Sequence, residues 1–119
     1  MYEKNMSVAD LDRELLARLL DGQERAWEDF VDRFLGLVLH LIDYTVLKRE
    51  FRLSIEDRNT LCENVFAALS HDRYALLRRF KERSSLTTYL SVVVRRIIVR
   101  FLLNQSFAEQ YEYPVPDAA

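Results

Sequence analysis

The chain is poor in the residues that punctuate and cross-link a fold: 2 Gly, 2 Pro, 1 Cys and 2 His among 119 residues. So few glycines and prolines leave little material for the tight turns that many short strands need, and long helices are expected instead. The single cysteine, Cys62, excludes an internal disulfide and a thiolate zinc cluster, which fits a reducing cytoplasm. The opening MYEKNMSVADLDRE has no apolar run of the secretory kind. The greasiest early stretch, residues 34–47, is short and broken by His40 and Asp43, so no membrane span is expected.

Signatures of catalysis are also missing. There is no glycine-rich phosphate loop, no His-Glu-x-x-His and no Gly-x-Ser-x-Gly, and two isolated histidines are poor material for a metal site. Neither an enzyme nor a cofactor is expected. His40 lies in an apolar stretch and reads as a core residue, His71 as a helix-end residue, and Cys62 as a small hydrophobe.

Half of the residues are apolar and 30% are charged, and the length suits one packed domain. The net charge of −2 hides a strong segregation. Residues 1–72 hold 9 Lys/Arg against 15 Asp/Glu, residues 73–100 hold 8 against 1, and residues 101–119 hold 3 acids and no base. One basic segment thus sits between acidic ones.

Apolar spacing of three and four predicts four helices, and no alternation of period two persists long enough for a sheet. Ser7 and Asp10 open a first helix over 8–21, with Val8, Leu11, Leu15 and Leu19 as its stripe and Gly22 as its stop. A second, over 24–47, carries Trp27, Phe30, Phe34, Leu37, Leu41 and Tyr44, with Val31, Leu35, Val38 and Ile42 on a flank. Gly36 inside it suggests a neighbouring helix passing close. Ser54 and Asp57 start a third, with Leu61, Cys62, Val65, Phe66 and Leu69 inward and Asn59, Thr60, Glu63 and Asn64 outward. Residues 71–83 read as a short helix or turn-rich connector. Ser84 or Ser85 caps a fourth helix to about 105, with Leu86, Leu90, Val93, Val94, Ile97 and Phe101 as its core stripe. The fold class is all-α, a compact four-helix bundle over 1–105, and 106–119 reads as a flexible tail or the start of a linker.

The basic segment carries Arg78, Arg79, Lys81, Arg83, Arg95, Arg96 and Arg100, with Tyr74, Phe80 and Tyr89 among them. Cations for phosphates and flat rings for unstacked bases are what a single nucleic-acid strand requires. Solvated arginines paired with the acidic remainder of the chain are the plain alternative, and spacing alone does not decide between the two.

Three blocks, LLARLLDGQERAWEDFVDRF, LCENVFAAL and LRRFKERSSLTTYLSVVVRRIIVRFL, taken in order and spacing, resemble region two of bacterial sigma factors over about residues 12–103. The extracytoplasmic-function group is the most similar. The resemblance implies an all-helical domain that docks on the clamp helices of the largest subunit of core RNA polymerase and binds the non-template strand of the minus-ten promoter element. It implies polymerase contacts at Asp57, Asn59, Thr60, Glu63 and Asn64. It implies DNA contacts at Arg79, Lys81, Arg83, Ser84, Ser85, Tyr89, Arg95, Arg96 and Arg100, with residues 81–85 holding an extruded base. An anti-sigma protein is a further partner of that family.

This sequence departs from the family pattern in several places. Glu63-Asn64 replaces the usual Gln-Glu, and Thr60 stands where Asp is usual, with Asp57 one turn earlier. Tyr89 replaces Trp, and Arg96 and Arg100 stand where Asn and Asp are frequent. The 119 residues hold no region four, so normal promoter recognition by them alone is not expected. Two other readings remain: a sigma-like interaction module bound by a regulator or by itself without DNA, and a helical duplex-binding protein, which the lack of a clear helix-turn-helix disfavours.

Overall fold

Serine hydroxyls start three of the four helices. Ser7 Oγ accepts from the Asp10 amide at 3.1 Å, Ser54 Oγ from Asp57 at 3.0 Å and Ser85 Oγ from Thr88 at 3.1 Å, each satisfying one of the donors that a helix start leaves open. The structure is a computed structural model and describes residues 6–104. It contains α1 (Val8–Leu20), α2 (Ala26–Lys48), α3 (Ile55–Arg78) and α4 (Leu86–Asn104), with no strand among the described residues. The expected all-α, four-helix architecture is what forms. No helix among these residues is long and apolar enough to cross a membrane. The tail expected over 106–119 lies outside the described residues.

All four helices touch one another, and α2 shares the most extensive contact with the other three. Ala26, Phe30, Phe34, Val38, Leu41, Ile42 and Thr45 are its buried positions. Trp27 ties α2 to α3, its ring centroid 6.0 Å from Phe66 edge-on and 5.7 Å from Tyr74. On α3 the buried set Leu61, Cys62, Val65, Phe66 and Leu69 is the one expected from spacing.

α1 sits in a different phase from the one expected. Val8 and Leu11 are exposed, and Asp12 is buried beside Leu15, Leu16 and Leu19. The cause is Arg33 of α2, whose guanidinium holds the Asp12 carboxylate with two bonds of 2.8 and 2.9 Å and lies 4.7 Å from the Phe34 ring centre. A bidentate pair of this kind lets a carboxylate occupy a core position that apolar spacing would assign to Leu11.

Two more expectations on α2 are corrected. His40 is exposed rather than in the core, stacked beside Tyr44 with ring centroids 6.4 Å apart. Gly36 is exposed as well, and a Cβ built there meets nothing within 4 Å, so no helix passes close to it.

Turn geometry separates the C-terminal ends of α1 and α2, each of which closes on a left-handed residue. α1 closes with Gly22 at φ 76°, the Gln23 amide reaching Arg18 O and the Gly22 amide reaching Leu19 O. α2 closes with the same pair of bonds, from Phe51 to Val46 and from Glu50 to Leu47, but its left-handed residue is Glu50 at φ 59°. Glu50→Gly should therefore stabilise the fold by about 0.5–1 kcal/mol, as should Gly36→Ala in the exposed helix interior, while Gly22→Ala should destabilise by about 1 kcal/mol. Urea unfolding of the three variants, followed by helical circular dichroism, checks the signs.

Candidate nucleic-acid interface

α4 can be divided into four rows of residues spaced four apart, each row offset by three from the next. Leu86, Leu90, Val94, Ile98 and Leu102 form the first row, and all five are buried. Tyr89, Val93, Ile97 and Phe101 form the second and are half-buried; Thr88, Val92, Arg96 and Arg100 form the third and are exposed. The expected core stripe had taken Val93, Ile97 and Phe101 as fully inward and had omitted Ile98 and Leu102. Leu86, Leu90 and Val94 are buried as expected, while Ile98 and Leu102 complete their row in the core and leave Val93, Ile97 and Phe101 at its edge.

The second and third rows line one side of an open groove of about 880 Å³ between α3 and α4. The opposite wall comes from Ala68, His71, Asp72, Ala75, Leu76 and Arg79. α3 is interrupted at this wall: His71 has an extended ψ of 143°, and Asp72, Arg73 and Tyr74 follow at φ 54°, 56° and 62°. Three consecutive non-glycine residues in the left-handed region cost roughly 1–2 kcal/mol each. The turn is braced by Arg78, whose Nε donates to Arg73 O at 2.8 Å and whose Nη2 donates to Leu20 O at 3.2 Å, and by the Tyr74 ring on Trp27.

Of the nine residues expected to meet DNA, the groove brings together Arg79, Ser84, Tyr89, Arg96 and Arg100. Arg95 belongs to the fourth row of α4, with Thr87, Ser91 and Val99, and does not line the groove. Lys81, Arg83 and Ser85 lie outside it on the exposed connector. The Ser85 hydroxyl caps α4 and bonds Thr88 Oγ1 at 3.0 Å. Arg78 is spent on the two backbone carbonyls. Tyr74 and Phe80 pack against the core, Phe80 with its centroid 5.2 Å from Tyr89, so neither is a free platform for a base. His71, Val92 and Phe101 were missed as groove residues; their place in rows beside Arg96 and Arg100, or one turn from Ala75, was the available signal.

Tyr89 has a definite structural task. Its hydroxyl donates to Leu76 O at 2.6 Å, one of the carbonyls left open at the end of α3. Burial pushes the phenol pKa up, while the nearby charges of Arg79 and Arg96 pull the other way. The neutral donor form is thereby kept. At Cys62 burial likewise raises the thiol, against a smaller pull from Arg58, which suits an inert core residue.

Four arginines of the acidic part of the chain, Arg13, Arg18, Arg33 and Arg58, have carboxylate partners at 2.7–2.9 Å. Among the described residues, none of Arg79, Arg95, Arg96 and Arg100 is in an ion pair. Asn59, Thr60 and Glu63 are exposed on α3 and Asn64 is half-buried, with Asp57 half-buried in the first turn. No group of three His, Cys, Asp or Glu that could hold a metal ion occurs among the described residues. Comparison with known proteins finds no matching family model, curated protein or solved structure.

Tyr89→Phe should cost about 1 kcal/mol, because it leaves the Leu76 carbonyl without its donor. A raised folded-state pKa means that the contribution of Tyr89 is complete below the ordinary tyrosine pKa and is lost as pH rises through the folded value. Thermal unfolding of the wild type and the variant from pH 7 to pH 11 should therefore converge at the alkaline end.

Proposed function

We propose that the groove between α3 and α4 is a binding face for a single nucleic-acid strand, and that the chain is a cytoplasmic transcription-initiation domain of the sigma region-two kind. The observation that carries the reading is the convergence of three arginines on one groove that also has apolar walls. Carboxylates neutralise Arg13, Arg18, Arg33 and Arg58, while Arg79, Arg96 and Arg100 reach the groove with none of the described carboxylates paired to them. Arg96 and Arg100 are about 6 Å apart along the helix axis and repel each other mildly unless an anion bridges them. Phosphates along a strand provide such anions, and the half-buried row of Val93, Ile97 and Phe101 offers apolar surface to the bases.

In this reading the outward face of α3, with Asp57, Asn59, Thr60, Glu63 and Asn64, meets core RNA polymerase, and the strand is the opened minus-ten region of a promoter. Asn59, Thr60 and Glu63 are polar and exposed on the helix, with Asp57 and Asn64 half-buried beside them, which suits the polar rim of such a contact. An interaction module with no nucleic-acid role is the competing reading, supported by the apolar content of the same groove, where Val92 is 43% exposed.

Salt dependence separates the two. For a single-stranded oligonucleotide, Arg96→Ala and Arg100→Ala should each flatten the plot of log affinity against log salt by about 0.7, the share of one phosphate contact. Arg95→Ala, one residue away but in another row, should leave the slope unchanged. Equal effects from all three would remove the groove as the contact, and no binding by the wild type would leave the interaction-module reading.

A further inference from the structure

The open side of α2 carries a row of residues spaced four apart, Asp32, Gly36, His40, Tyr44 and Lys48, and all five are exposed. The neighbouring row is Leu35, Leu39, Asp43 and Leu47. It is apolar apart from Asp43, which Arg58 holds at 2.7 Å, and its Leu35 and Leu47 are 39% and 75% exposed. Large apolar side chains left in water along one face mark a contact surface.

Read from either end, the first row is its own complement. Against an antiparallel second copy centred on His40, Asp32 meets Lys48 of that copy, Gly36 meets its Tyr44, and His40 meets its His40. Opposite charges thus face each other at both ends, and the smallest residue faces the largest. Neither Asp32 nor Lys48 is in an ion pair among the described residues. The Lys48 ammonium lies 5.8 Å from the Tyr44 ring centre, along the row. Glycine weakens a helix interior, and nothing inside the molecule requires one at 36, where a Cβ would meet nothing within 4 Å. A notch for the Tyr44 ring of a second copy gives Gly36 a use.

We propose that the open side of α2 pairs with the same side of a second copy of this chain, antiparallel about a two-fold axis at His40. Rows spaced four apart wind around a helix, and two such rows run alongside each other where the helices cross at about −50° with axes about 8–10 Å apart. The close contact then spans Gly36 to Tyr44, about 12 Å of helix, and the long Lys48 side chain reaches Asp32 of the second copy at either end. A single helix crossing falls below about 1,200 Å², so the dimer is weak and forms as protein concentration rises. No residue of α2 lines the groove between α3 and α4. The pairing therefore shares no residue with the groove and does not rest on the nucleic-acid reading.

Sedimentation equilibrium of the full chain at low salt, up to about 1 mM so that millimolar dissociation constants are detected, reads the association. The wild type should show a reversible monomer–dimer equilibrium. Asp32→Lys and Lys48→Asp, each alone, place like charges opposite each other at both ends of the crossing and should each weaken the dimer about tenfold. An equimolar mixture of the two variants should form a mixed dimer about as tight as that of the wild type, because every charge then meets its opposite. Such recovery cannot come from misfolded variants. Gly36→Leu, which favours the helix of the monomer while filling the notch, should abolish the dimer. A wild type that stays monomeric at the highest concentration overturns the proposal. So does a dimer that both charge variants leave unchanged, or a mixture that associates no more tightly than its two components.

Discussion

Burial of one row of α4, Leu86, Leu90, Val94, Ile98 and Leu102, is the constraint on which the candidate site depends. Five buried aliphatic side chains contribute roughly 10 kcal/mol of transfer free energy as an upper bound. Mild repulsion between Arg96 and Arg100 costs only about 0.2–0.5 kcal/mol. The apolar row therefore sets the rotation of the helix, and the arginines take the positions that this rotation leaves them. Adjacent rows then form the floor and the rim of the groove, and Arg95 is carried away to another side.

The opposite wall depends on a break in α3. Were residues 71–74 helical, α3 would continue straight, and its last turn would not sit where Leu76 accepts from Tyr89. Arg78 braces both the break and the end of α1, so a member of the basic segment serves the scaffold rather than a ligand. The division of labour among the cations follows from their surroundings. Arg33 is held by a nearly buried carboxylate, Arg78 by backbone carbonyls, and Arg96 and Arg100 face the open groove.

Much of the fold was legible because its signals are local. Ser7, Ser54 and Ser85 act within one turn of themselves, and the α3 stripe is an unbroken apolar pattern. The errors arose where a partner distant in sequence decides the outcome. Asp12 is buried only because Arg33 is opposite, and the buried row of α4 continues through Ile98 and Leu102 because they find space in the core. Gly36 and His40 proved to be surface residues, since α2 is covered by three helices yet keeps one side open. The left-handed turn at 72–74 has no glycine to announce it. The interleaving of rings with cations was real in sequence but structural in meaning for Tyr74 and Phe80, whereas Arg79, Ser84, Tyr89, Arg96 and Arg100 owe their grouping at the groove to rows that spacing alone leaves unphased.

The central claim is that the rotation of α4 gathers floor and rim into one ligand-binding face. The most direct test is amide chemical-shift mapping of the isotopically labelled full chain during titration with a short single-stranded DNA oligonucleotide. The account predicts shifts concentrated at Ala75, Arg79, Val92, Val93, Arg96 and Arg100, with Thr87, Ser91 and Arg95 changing less. Shifts centred on the outward face of α2 around Asp32 and Gly36, or spread equally over every row of α4, would contradict it.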